Sequence, residues 1–70
     1  MKGEDAVLYK SLGELIAKKR KDKGLRQLDL ADKVGISRGT AAALEAGVIR
    51  IDFYRLKKIC AVLGINIGEL

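Results

Sequence analysis

Residues 26–47, RQLDLADKVGISRGTAAALEAG, decide the fold. Leu30, Ala31 and Val34 fall on one face of a helix that has room for two turns before Gly35. Gly35 can take a positive φ at the turn, and Ile36 fills the angle between that helix and the next. Ser37 is a good N-cap, residues 38–46 form a second short helix, and Gly47 closes it. Ala31 is small where the two helices must approach closely.

The flanking sequence is punctuated in the same way. Upstream, SLGE at Ser11 to Glu14 has the form of a capping box, in which Ser11 accepts from the backbone and the Glu14 carboxylate reaches back. Leu12, Leu15 and Ile16 follow as one stripe, basic residues fill the last turn and Gly24 supplies the stop, which predicts a first helix over 11–23. Downstream, Asp52 is an N-cap, and Phe53, Leu56, Ile59, Cys60 and Leu63 recur at helical spacing up to Gly64. Asn66 to Glu69 begins one further turn.

The chain has 70 residues, 49% of them hydrophobic and 4% aromatic, and no proline. That composition favours helices packed through Leu, Ile, Val and Ala over a β-sandwich or barrel. A chain this short holds one core. The expected architecture is all-α: a compact bundle of four to five short helices over 11–70, preceded by an arm over 1–10.

Composition also excludes chemistry. With no histidine and one cysteine, Cys60, the chain cannot form an internal disulfide, a His/Cys metal site or a Cys/His nucleophile pair. The acids fall on capping and surface positions and no nucleophile sits with a base, so neither an enzyme, a metal nor a cofactor is expected. The start of the chain is acidic and its apolar run too short for a signal peptide. No stretch approaches the roughly 18 apolar residues of a membrane span, so a reducing cytoplasm is the expected location. Net charge is +5 with a pI near 9.6, and five of the fourteen cations lie in KKRKDK, Lys18 to Lys23. Such a cluster is the footprint of a nucleic-acid binder and equally that of a solvated helix end.

Two short helices separated by a glycine turn, the second capped by serine, form a helix-turn-helix. The chain resembles the Cro and phage-repressor type of helix-turn-helix domain, the XRE family. The resemblance runs from LGELIAKKRKDKGL through Q..LADKVGIS and T...LEAG to L..I...LGI, and it places Gln27, Ala31, Gly35, Ser37, Glu45 and Gly47 together. It implies a bacterial or phage-encoded, cytoplasmic protein at the nucleoid whose partner is double-stranded DNA, bound without a cofactor or a membrane.

The resemblance also implies roles for residues. The N-terminal end of the helix over 38–46 enters the major groove, where Arg38, Gly39, Thr40, Ala42 and Ala43 reach base edges. Arg38 is the long polar donor among them and can pair with guanine O6 and N7, or bind a phosphate instead. Ala42 and Ala43 have only methyls to offer to thymine. Gly39 suits a helix backbone that comes close to the bases, or is simply tolerated. Arg26, Gln27, Ser37 and Arg50 are expected on phosphates, with Gln27 also bracing the recognition helix and Ser37 serving first as a cap. Arg26 replaces the usual Ser or Thr cap, which removes an acceptor and adds a cation. Lys33 and the basic end of the first helix are either further backbone contacts or solvated charge. Arg20 and Glu45 match a structural ion pair between the first helix and the end of the recognition helix.

A homodimer on a palindromic operator is the implied assembly. Val48, Ile49, Ile51, Ile65, Ile67 and Leu70 either form its interface or complete the core, and Ala6, Val7, Leu8 and Tyr9 either cover the core or extend the interface. Ile51 replaces a proline common in that loop. Sequence-specific regulation, as a repressor, is the leading expectation. The alternatives are the antitoxin of a toxin and antitoxin pair that represses its own operon, and a protein-interaction module that uses the fold without DNA.

Overall fold

A computed structural model describes residues 3–69. Its elements are four α-helices, α1 (Gly3–Asp22), α2 (Gln27–Val34), α3 (Arg38–Ala46) and α4 (Phe53–Leu63), followed by a 3-10 turn over Ile67–Glu69. There is no strand among the described residues, so the all-helical expectation holds.

Three helix starts are made by local hydrogen bonds. The Ser37 hydroxyl accepts from the Thr40 backbone N–H at 3.0 Å, and the Asp52 carboxylate accepts from that of Arg55 at 3.2 Å. α2 solves the problem differently. Arg26 has no acceptor to give, and Asp29 reaches back from the third helical position to take the Arg26 N–H at 2.8 Å. One otherwise unpaired donor is thus satisfied by a side chain inside the helix. At the turn, Gly35 has φ +82°, and Ala31 O accepts from the N–H of both Gly35 and Ile36. A side chain at Gly35 would strain this conformation.

The first helix departs from expectation. α1 begins at Gly3, so Ser11 and Glu14 lie in its interior and are exposed, and the capping box is not used. Residues 3–10 continue the helix without a break, and Met1 and Lys2 lie outside the described residues. The capping motif is only a local preference, and packing of the preceding turns against the end of α3 overrides it. Two glycines show how close that packing is. A Cβ on Gly13 would lie 2.5 Å from the Leu44 carbonyl oxygen, and one on Gly47 would lie 2.5 Å from Lys10 Cα. Backbone therefore meets backbone on both sides of the contact.

The core is Ile16 from α1, Leu30 and Val34 from α2, Leu44 from α3, Ile59, Cys60 and Leu63 from α4, and Ile65. Ala31 and Ala41 are fully enclosed where the short helices cross. Leu12, Leu15, Ile36, Ile51, Leu56 and Ile67 pack around this cluster half-buried. Phe53 was expected on the core stripe of α4 but is 64% exposed. It occupies the first helical position, beyond the edge of the core, and Lys57 Nζ lies 5.8 Å from its ring centroid.

Candidate nucleic-acid interface

The centre of the arrangement is a buried ion pair. Arg20 Nε donates to Glu45 Oε2 at 2.6 Å and Arg20 Nη2 donates to Glu45 Oε1 at 3.0 Å, a bidentate pair whose side chains are 9% and 7% exposed. Arg20 Nη1 also donates to the Leu25 carbonyl at 2.6 Å. Gln27 Nε2 donates to Glu45 Oε1 at 3.2 Å. One carboxylate near the end of α3 is thereby tied to α1 and to the first residue of α2. The hydrogen bond that Arg20 donates to Glu45 raises the Arg20 pKa above its ordinary value, against the burial that lowers it. The Arg20–Glu45 pair that the resemblance implies is present, and Gln27 is hydrogen-bonded into the same network.

Held this way, α3 turns Leu44 and Ala41 inward and presents the opposite side. Arg38 and Gly39 are exposed, and Thr40, Ala42 and Ala43 are half-buried. Ala46, which the sequence reading passed over, is exposed and lies seven residues from Gly39, so Gly39, Ala42, Ala43 and Ala46 form one smooth ridge. The spacing i, i+3, i+4, i+7 was the available signal. A Cβ on Gly39 would meet only Ser37 Oγ, at 3.9 Å, so nothing within the chain requires glycine there. The Ser37 hydroxyl donates to Thr40 Oγ1 at 2.9 Å, which leaves the Thr40 hydroxyl hydrogen for another acceptor.

The cations fall into different classes. Arg26 is exposed, yet its Nε and Nη2 hold the two Asp29 oxygens at 3.1 and 3.0 Å. The Arg26 hydrogen bonds hold the Asp29 carboxyl down at about 2, well below the usual carboxylate range. The cation expected at the phosphate path is therefore paired with a carboxylate at the protein surface. The Arg38 side chain makes no hydrogen bond or ion pair with the other described residues. Arg50 is exposed in the loop after α3. Arg20, Arg26, Gln27, Leu28 and Arg38 line one cleft of about 500 Å³ between the start of α2 and the start of α3. Lys23 and Lys33 line a separate depression with Leu25 and Val62. Leu28 and Lys33 are five residues apart on α2, about 140° around the helix at 100° per residue. Lys23 and Lys33 thus lie off the edge that carries Arg38, whereas Arg20 of the same basic stretch lines the cleft with it.

A family model described as helix-turn-helix matches residues 16–70. The chain belongs to the XRE type of this helix-turn-helix family. It is accordingly a DNA-binding regulator of the XRE type, a family that is generally not enzymatic. No curated protein matches the sequence. No described helix is long and apolar enough to cross a membrane.

The apolar residues considered for an interface separate clearly. Ile65 is in the core, and Ile51 and Ile67 pack against it, whereas Val48 is 65% exposed and Ile49 is 37% exposed. Leu70 lies outside the described residues. Phe53 and Tyr54 follow Val48 and Ile49 closely in sequence and are exposed as well, with Lys58 Nζ 4.6 Å from the Tyr54 ring centroid. Val7 and Leu8 are also exposed on α1, while Ala6 and Tyr9 are half-buried.

Proposed function

We propose that this XRE-type regulator is a transcriptional repressor that binds a palindromic operator as a homodimer, with α3 in the major groove. The observation that carries the reading is Arg38. It is an exposed guanidinium without a partner among the described residues, at the first position of a helix pinned by buried contacts at its other end. Its five donors are free for guanine O6 and N7. Gly39, Ala42 and Ala43 let the helix approach the bases and offer methyl contacts to thymine, and Thr40 donates its remaining hydroxyl hydrogen. Gln27 keeps a second amide hydrogen for a phosphate, and Ser37 and Arg50 flank α3 on either side. Arg26 contributes less, since reaching a phosphate costs it part of its contact with Asp29.

In a dimer, exposed Val48, Ile49, Phe53 and Tyr54 are removed from water by the second copy. The same exposed residues are the specific support for a second reading, in which a protein partner such as a toxin covers them. Selection from a random duplex library, with sedimentation of the protein and its complex in parallel, tests both. Half-sites spaced by about one helical turn, and a log–log salt slope of about −0.9 per phosphate neutralised, are expected. Arg38→Ala relaxes the preference at one base pair, and Gln27→Ala weakens all sequences similarly. Equal loss on every sequence for Arg38→Ala would show that it holds phosphate only. Binding to no duplex would remove the repressor reading.

A further inference from the structure

We infer that Leu28 is a second reader of sequence, packing on the 5-methyl group of a thymine next to the base pair that Arg38 contacts. The inference rests on the groove-binding role proposed for α3. Leu28 is 43% exposed, whereas the other apolar residues of α2, Leu30, Ala31 and Val34, are no more than 3% exposed. Nothing in the core requires a large apolar side chain at that place, which is surrounded by guanidinium groups.

The other walls of its cleft are largely committed. Arg20 is spent on Glu45 and the Leu25 carbonyl, Arg26 on Asp29, and one amide hydrogen of Gln27 on Glu45. What the cleft of about 500 Å³ still offers is the Arg38 guanidinium, one Gln27 hydrogen and the bare aliphatic surface of Leu28. A leucine gives nothing to a phosphate. Among the groups displayed in a major groove, the aliphatic one that varies with sequence is the thymine methyl. Leu28 and Arg38 line one cleft, which is the ground for assigning the thymine to a neighbouring base pair, a step of about 3.4 Å along the strand. Guanine for Arg38 beside thymine for Leu28 would let one polar and one apolar contact read a two-base unit, supplementing an alanine ridge with few donors.

The test replaces each thymine of the selected operator singly by deoxyuridine, which deletes only the methyl, and measures binding by fluorescence anisotropy. At the thymine adjacent to the pair that Arg38→Ala relaxes, deoxyuridine is expected to weaken the unaltered protein about fourfold, the equivalent of one buried methyl group. Leu28→Ala and Leu28→Gln are expected to bind the two duplexes equally there, with a cooperative thermal transition retained because Leu28 lies outside the core cluster. A Leu28→Ala protein that keeps the thymine preference, or that weakens every sequence alike, overturns the inference while leaving the DNA-binding reading intact. The same holds if no thymine next to that pair is methyl-sensitive. Failure of the unaltered protein to bind any duplex overturns both.

Discussion

Replacing Glu45 by alanine removes the shared acceptor of Arg20 and Gln27. Arg20 is 8% exposed and would be left as a buried charge with only the Leu25 carbonyl to receive it. Breaking such a pair costs about 3–5 kcal/mol. A domain of 70 residues has roughly 3.5–10 kcal/mol in total, at about 0.05–0.15 kcal/mol per residue. Glu45→Ala is therefore expected to use up much of the stability. In urea denaturation followed by far-ultraviolet circular dichroism, at an m-value of about 1 kcal/mol/M, the midpoint falls by about 3 M or the transition is lost. The paired replacement Arg20→Met with Glu45→Leu removes both charges and keeps apolar volume, so it is expected to recover to within about 1 kcal/mol of the unaltered protein. The DNA affinity of the paired variant should still be lower, because Gln27 has lost its brace. A loss below about 1 kcal/mol for Glu45→Ala would mean that the pair behaves as an exposed one, and the account of how α3 is held would be wrong.

Two glycine substitutions are expected to have opposite effects. Gly13→Ala forces a methyl against the Leu44 and Glu45 carbonyls and should destabilise by about 1–3 kcal/mol despite a gain of about 1 kcal/mol in helix propensity. Gly39→Ala enters open space and should stabilise by about 0.8–1 kcal/mol, read as a rise in thermal midpoint, while weakening DNA binding if the backbone approaches the bases. Burial pushes the Cys60 thiol above its ordinary range. The folded chain thus resists ionisation that the unfolded chain allows, so this contribution is complete below a pH of about 8.5 and is lost as pH rises. Urea midpoints should fall more steeply from neutral to alkaline pH for the unaltered protein than for Cys60→Ala, and Cys60 should react with a thiol reagent only on unfolding. For Asp29 the sign is reversed: its folded pKa of about 2 lies below the ordinary carboxylate value, so its contribution is present above that value and fades as pH falls toward 2. Any difference in thermal midpoint between the unaltered protein and Asp29→Asn at neutral pH should narrow as pH falls from about 4 toward 2. A difference that stays constant over that range would show that the Asp29 carboxylate is not its source.

The local structure was legible because short helices announce their ends. Ser37, Asp52, Gly35, Gly47 and Gly64 each act on backbone within a few residues, so their effect needs no knowledge of the rest of the fold. The ion pair between Arg20 and Glu45, separated by 25 residues, was reachable only through the family resemblance, since spacing alone cannot bring distant charges together. Where a local signal competed with packing, it lost. Ser11 and Glu14 form an acceptable capping box, yet α1 continues through them because its earlier turns rest on Gly47. Phe53 keeps the periodicity of α4 and still points outward, because period specifies a face of a helix but not how far the core extends beneath it. The charges show the same division: composition counts cations, and only tertiary structure shows that Arg20 is committed to a carboxylate 25 residues away while Arg38 is not. The sequence alone determined the order of the helices, the ends of α2, α3 and α4 and the turn between α2 and α3, because caps and glycine conformations are set by neighbouring atoms. Only the tertiary structure decided which side chains remain for DNA, because that depends on which polar groups find partners inside the fold.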